Sequence, residues 1–124
     1  NPFNLRHGTW GEALVALAGP ASNILIATLF GLLIRFAPLS ESFVGISALI
    51  VLVNINLAIF NLVPIPPLDG SKILFALLPL SMQRVRYFLE QWGFFLVIIF
   101  VLFLWKVIAP VVGILFALLT GLAL

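Results

Sequence analysis

Long apolar runs alternate with short polar breaks along the chain, and the spacing of the breaks predicts its elements. Residues 1–12 (NPFNLRHGTWGE) are polar and rich in turn formers, with Trp10 placed as an interfacial anchor would be. An apolar run fills 13–36 and ends at Arg35, and Pro38-Leu39-Ser40-Glu41-Ser42 reads as a short loop. The second run, 43–63, stops at a cluster of prolines. Ser71 to Leu78 reads as two turns of helix closed by Pro79, and 81–91 (SMQRVRYFLEQ) as a charged helical connector at the membrane surface. Further apolar runs cover 88–108 and 111–124, with Lys106 able to snorkel toward headgroups. A span needs about 20 apolar residues at a rise of about 1.5 Å each. The expected fold is therefore all-α, a polytopic transmembrane helix bundle forming one domain over 1–124. Its expected spans are about 13–36, 43–63 with a broken continuation over 64–78, 88–108, and a short or tilted 111–124.

Composition supports that class. Of 124 residues 64% are hydrophobic and 8% charged, against about 45–50% and about 25% in soluble domains. The lipid bilayer is thus the expected surrounding. A net charge of +2, scattered along the chain, excludes a nucleic-acid partner. Without cysteine there is neither a disulfide framework nor a thiolate metal site. The opening Asn1-Pro2-Phe3 lacks an initiator methionine and a signal-peptide pattern, so the chain is expected to be part of a longer membrane protein. If 13–36 and 43–63 cross in opposite senses, Arg6, Lys72, Arg84 and Arg86 share one side, and Arg35 and Lys106 lie near the other. The excess of basic residues makes the first side cytoplasmic.

Two stretches carry candidate chemistry. In the first span, Ala18-Gly19-Pro20-Ala21-Ser22-Asn23 begins a series, Gly19, Asn23, Ala27 and Gly31, that repeats every four residues along one helix face. Small residues at that spacing admit a second helix closely, and an amide among them can bond across the interface or brace a buried polar site. Pro20 removes a backbone bond and predicts a local kink. The second stretch is Asn61-Leu62-Val63-Pro64-Ile65-Pro66-Pro67-Leu68-Asp69-Gly70. Pro64, Pro66 and Pro67 lack N–H groups and push the residues before them out of the helical region, so an extended segment is expected from Val63 to Leu68. Irregular backbone at membrane depth survives only inside protein or along a cavity. Gly70 gives the chain freedom to turn into the next helix.

Asp69 has two readings on these grounds: an N-cap for the helix that follows, a job Ser71 also fits, or a ligand for a metal or other cation. A carboxylate at membrane depth costs about 2.5–3.5 kcal/mol on insertion scales, so such residues usually pair or function. Asn54 and Asn61 share a helix face and Asn56 points elsewhere. Hydrogen bonds between helices account for these amides, and a donor aimed at developing charge is the alternative. A transporter or channel half that binds a cation or proton at Asp69 is one function compatible with the break. A membrane subunit without catalysis is another.

The segment Phe60-Asn61-Leu62-Val63-Pro64-Ile65-Pro66-Pro67-Leu68-Asp69-Gly70 resembles the FNLLPIPPLDG-type motif of site-2 proteases, the intramembrane zinc metalloproteases. Ala18-Gly19-Pro20-Ala21-Ser22-Asn23 is similar to the AGPxxN stretch that the family carries one span earlier, and Asn1-Pro2 with His7-Gly8-Thr9 to the loop before it. The resemblance covers about residues 1–80. It implies a zinc site in which Asp69 is the third protein ligand, beside two histidines of an HExxH helix whose glutamate serves as general base. Three protein ligands and a water make the open coordination of catalytic zinc. Asn61 matches an asparagine that lies near the substrate carbonyl or braces the site. The chain has no HExxH: its single histidine, His7, is followed by Gly-Thr-Trp and reads as a surface-loop residue. The resemblance therefore implies that the two histidines come from an upstream part of the same protein, and that this chain is inactive and binds zinc weakly by itself. The implied partner is a transmembrane protein substrate. Such a substrate must be unwound locally, and an extended, proline-rich wall is expected to help hold it as a strand.

Overall fold

The computed structural model describes residues 2–66 and 68–122, with side chains from Trp10 onward. The expected contribution of Pro67 and the side chain of His7 lie outside the described residues. The described residues form five α-helices in order: α1 (Pro2–Phe36), α2 (Glu41–Leu62), α3 (Gly70–Leu77), α4 (Gln83–Phe103) and α5 (Trp105–Thr120), with a 3-10 turn at Leu80–Met82 before α4. No strand occurs among the described residues, as the all-α expectation required. Among the described residues three stretches are long and apolar enough to cross a membrane: Trp10–Phe36, Glu41–Leu62 and Leu80–Phe103. Their outer faces carry exposed Leu14, Val15, Leu25, Leu49 and Phe94, a surface suited to lipid and not to water.

Helix boundaries differ from the sequence reading at two places. Residues 2–12, expected as a turn-rich loop, continue α1 without interruption, so His7 stands on helical backbone. α1 also runs on through Pro20, since one missing N–H leaves the other bonds of the ladder in place. The apolar run 88–108 is not a single helix. It divides at Leu104, whose N–H donates to the Phe100 carbonyl and whose own carbonyl accepts from Val107 and Ile108. The backbone bonds thus carry across Leu104, and the chain bends without reversing.

Ser40 starts α2, accepting the Phe43 N–H at 3.3 Å on its hydroxyl, with Glu41 in the first turn. This side-chain cap fits the positive end of the helix dipole. The connection from α1 is four residues long, so α1 and α2 form an antiparallel pair. The path of α4 and α5 can be followed by its contacts. Gly93 meets Pro66, Phe100 meets Phe60 with ring centroids 6.4 Å apart, and Leu119 meets Gly31. Val112 and Phe116 join Ala27, Val51 and Ile55 in the buried core. These contacts fall in reverse order along α2, so α4 and α5 together run antiparallel to it. Lys106 therefore lies fourteen residues, about 21 Å of helix, from Thr120, whose end of α5 adjoins Arg35. The expectation that Lys106 and Arg35 lie near the same side fails for this reason.

Close approach holds the bundle together. Lipid tails are as apolar as leucine, so small residues and dispersion contacts drive helix association more than area removed from water. The expected seam is present: Ala27 is fully buried, and a Cβ on Gly31 would sit 2.9 Å from the Leu119 carbonyl oxygen. At that end Arg35 Nη2 donates to the carbonyls of Leu118 at 2.9 Å and Ala117 at 3.4 Å. A cation thus covers the negative end of α5. Gly121, with φ of 75°, closes the helix in the left-handed conformation and donates to Ala117 at 2.8 Å.

Substituting Gly31→Val is expected to force α1 and α5 apart and to lower stability by about 1–3 kcal/mol. Thermal unfolding in detergent, followed by circular dichroism, measures the loss, with Gly11→Val as the comparison because a Cβ at Gly11 meets nothing within 4 Å.

Candidate functional site

The segment between α2 and α3 is curled, not extended. Val63 ends α2 in an extended conformation, at φ −60° and ψ 126°. After it Ile65 N–H donates to Val63 at 2.9 Å, Leu68 N–H to Ile65 at 2.9 Å and Ser71 N–H to Leu68 at 3.1 Å. Prolines fix their own φ near −65° but permit turns, and turns satisfy carbonyls locally where extended backbone in hydrocarbon would leave them bare. The expected extension from Val63 to Leu68, and with it a strand-like wall for a substrate, is corrected by this geometry. The Val63, Ile65 and Leu68 carbonyls accept bonds from within the segment.

Gly70 serves the site through space and not through conformational freedom. Its φ is not positive, and a Cβ there would overlap the carbonyl oxygens of Leu62 and Val63. The first turn of α3 thus packs directly on the last turn of α2, and only glycine permits it. This contact, closed over seven residues, sets where Asp69 emerges.

Asp69 occupies the N-cap position of α3 at φ −63° and ψ −28°, but its side chain caps nothing. Helical dihedrals at this position direct the carboxylate away from the N–H groups of α3, because a capping side chain needs an extended backbone. The Ser71 hydroxyl does not cap either, since it donates to the Leu68 carbonyl at 2.8 Å. Among the described residues the Asp69 carboxylate has no hydrogen-bond or ion-pair partner. It faces α1, where its Oδ2 lies 3.6 Å from the point a Cβ on Gly19 would occupy. The absence of that Cβ leaves room beside the carboxylate. Gly19 lies sixteen residues from Arg35 and nine from Trp10, about 24 Å and about 14 Å along α1. Asp69 is therefore inside the span and half-buried, where an unpaired carboxylate is costly.

The other expected residues lie on the elements that flank this point. Pro20 is buried and Asn23 half-buried on the same stretch of α1. Asn23 makes no side-chain hydrogen bond among the described residues, so its amide does not bond across the seam. Asn61 is half-buried on the last turn of α2, also without such a bond, while Pro64 is exposed and Pro66 half-buried in the curled segment. The other amides bond within their own helix: Asn54 Nδ2 donates to Ile50 and Asn56 Nδ2 to Leu52, each at 2.8 Å. The expected helix-to-helix bonding is thereby replaced by bonds back along α2. Asn56 Oδ1 is buried without a partner. An open groove of about 340 Å³ beside it is lined by Leu52, Val53, Asn56, Leu57, Phe60 and Trp105 and includes neither Asp69 nor Gly19.

One residue at the site was not read from the sequence. Gly93 of α4 is buried, and a Cβ on it would overlap the Pro66 carbonyl oxygen. A glycine inside a long apolar helix, where it costs about 1 kcal/mol relative to alanine, was the available signal.

The donor set fits a metal in part. An unpartnered carboxylate with space in front of it suits a hard or borderline cation. No group of three His, Cys, Asp or Glu side chains occurs among the described residues, so within them Asp69 is a single donor and a complete site needs others.

The sequence profile of peptidase family M50 matches residues 33–104. The chain is 34% identical over 90 residues to Rip2 of Mycolicibacterium smegmatis, covering 71% of this chain and 35% of that protein. It is 33% identical over 90 residues to YwhC of Bacillus subtilis, covering 65% and 41%. A protein of Treponema pallidum is 47% identical over 76 residues, covering 53% of this chain and 17% of its own length. All three are named, provisionally, as zinc metalloproteases. The chain spans well under half the length of these curated relatives. No solved structure matches.

Replacing Gly70 by alanine is expected to lower stability by about 1–3 kcal/mol, since the clash is with backbone that cannot rotate away. Gly45→Ala, where a Cβ meets nothing within 4 Å, is expected to be neutral or stabilising by up to about 1 kcal/mol through helix propensity. Paired thermal melts of the two variants check the contrast.

Proposed function

The chain belongs to peptidase family M50, and on that premise we propose that it supplies the carboxylate ligand, Asp69, to the zinc site of a membrane-embedded endopeptidase. The observation that carries the reading is the Asp69 carboxylate, without a partner among the described residues and set inside the span against Gly19, where the two motif stretches meet. The names of the relatives support both zinc and proteolysis.

In this reading Asp69 would hold the metal through its carboxylate, and two histidines of an HExxH helix outside this chain would complete the protein ligands. When bound, zinc supplies a water acidified to a pKa near ~7 and a Lewis acid for the scissile carbonyl. The residues of this chain do the positioning. The backbone contact of Gly70 with Leu62 and Val63 fixes the carboxylate, and the bare face of Gly19 keeps the space before it open. Asn61, half-buried on the last turn of α2, would brace the site or donate its amide to a substrate oxygen.

The substrates in this proposal are transmembrane proteins cut within or near the bilayer. Arg6, Lys72, Arg84 and Arg86 belong to the end of the bundle where α1 begins, and Arg35 to the opposite end. That asymmetry favours a cytoplasmic location for the first end and an active site opening toward it. The chain by itself contains one of three ligands and is inactive in isolation.

Metal analysis of the full-length protein tests the assignment. Asp69→Ala is expected to lose most bound zinc and all cleavage of a transmembrane substrate while keeping its helical content. Zinc retained at the wild-type ratio removes Asp69 from the ligand set.

A further inference from the structure

We propose that Gly93 of α4 is a positioning residue for Asp69, acting through the carbonyl of Pro66. The inference rests on the reading of Asp69 as a metal ligand and extends it to a helix that carries none of the motif. α4 is largely open to its surroundings: Trp92, Phe94 and Phe95 beside Gly93 are 45%, 67% and 58% exposed. Gly93 is buried, as is Phe100 two turns further on. A Cβ on it would overlap the Pro66 carbonyl oxygen and lie 3.0 Å from its carbonyl carbon and 3.1 Å from the Pro66 Cβ. Glycine is disfavoured in a helix relative to alanine, and here it admits backbone against backbone.

The contact is mechanically short. Pro66 is three residues before Asp69, and the Leu68 N–H bond to Ile65 ties the intervening turn together. On its other side Gly70 is fixed against the end of α2. The carboxylate thus emerges from a turn gripped at both ends, by Gly93 before it and by Gly70 after it. A side chain added at position 93 must displace either Pro66 or α4. Where the Phe60–Phe100 contact two helical turns further on holds α4 in place, displacement passes to Pro66 and on to Asp69.

The test uses the full-length protein in detergent, with zinc affinity read by chelator competition. Gly93→Ala is expected to weaken zinc about 10–100-fold, the range found when groups that orient metal ligands are altered. The visible spectrum of the cobalt-substituted protein should change with it, which general destabilisation would not cause. Ile99→Ala, on the exposed side of α4, should leave both unchanged. Adding Phe100→Ala to Gly93→Ala frees α4 to move away and should restore part of the affinity; a further, additive loss overturns the proposal. Wild-type affinity and an unchanged cobalt spectrum in folded Gly93→Ala also overturn it. Asp69→Ala in parallel keeps the two ideas apart, because zinc retained there fails the ligand assignment and not the contact. Should Gly93→Ala not fold, protein with Trp92 as sole tryptophan carries the test through reciprocal linkage. Its emission should shift on zinc removal and return on zinc addition; emission indifferent to zinc overturns the proposal.

Discussion

The close approach of Gly70 to the last turn of α2 is the contact on which the rest of the site depends. A chain that leaves a helix inside a bilayer must satisfy its carbonyls without water. Here it does so by curling, with bonds from Ile65 to Val63 and from Leu68 to Ile65, and by starting α3 directly on the carbonyls of Leu62 and Val63. No residue with a Cβ fits that junction. The same geometry gives Asp69 helical dihedrals, which deny it the capping bonds an aspartate in this position usually makes. A carboxylate without a cap, inside a span, is the chemical outcome of a packing constraint.

The surrounding bundle uses the same device at each level. Gly19 leaves room for the Asp69 carboxylate, Gly31 admits the Leu119 carbonyl, and Gly93 admits that of Pro66. Ala27 is fully buried between these points. Hydrophobic transfer contributes little to helix association when the solvent is lipid, so proximity of backbones takes its place. Where a charge is present at a helix end, as with Arg35 over the carbonyls of Ala117 and Leu118, it answers the dipole of α5 and closes the end of the bundle away from Asp69.

Much of this was legible in the sequence, and the failures have specific causes. Apolar run length identified the long helices, and the four-residue series from Gly19 to Gly31 identified the seam, because lipid-embedded packing leaves a small-residue signature. The motif singled out Asp69, whose carboxylate stands without a cap in the structure. Hydropathy carries no information on chain reversal, so the bend at Leu104 and the position of Lys106 were misread. The prolines were read as extension because they exclude helix; their compatibility with tight turns decides the outcome once backbone groups must be satisfied locally. Polar composition at 2–12 concealed a helix that simply continues beyond the apolar run. Gly93 escaped notice because its partner, a carbonyl 27 positions away in sequence, leaves no local pattern.

The juxtaposition of Asp69 with Gly19 joins these observations to the proposed chemistry, and cross-linking measures it most directly. Full-length protein carrying Gly19→Cys and Asp69→Cys in native membranes should join rapidly through a short thiol-reactive cross-linker. A control pair at Gly45→Cys and Asp69→Cys should stay unlinked. Failure of the first pair to react, with both thiols accessible to a monofunctional reagent, would contradict the account.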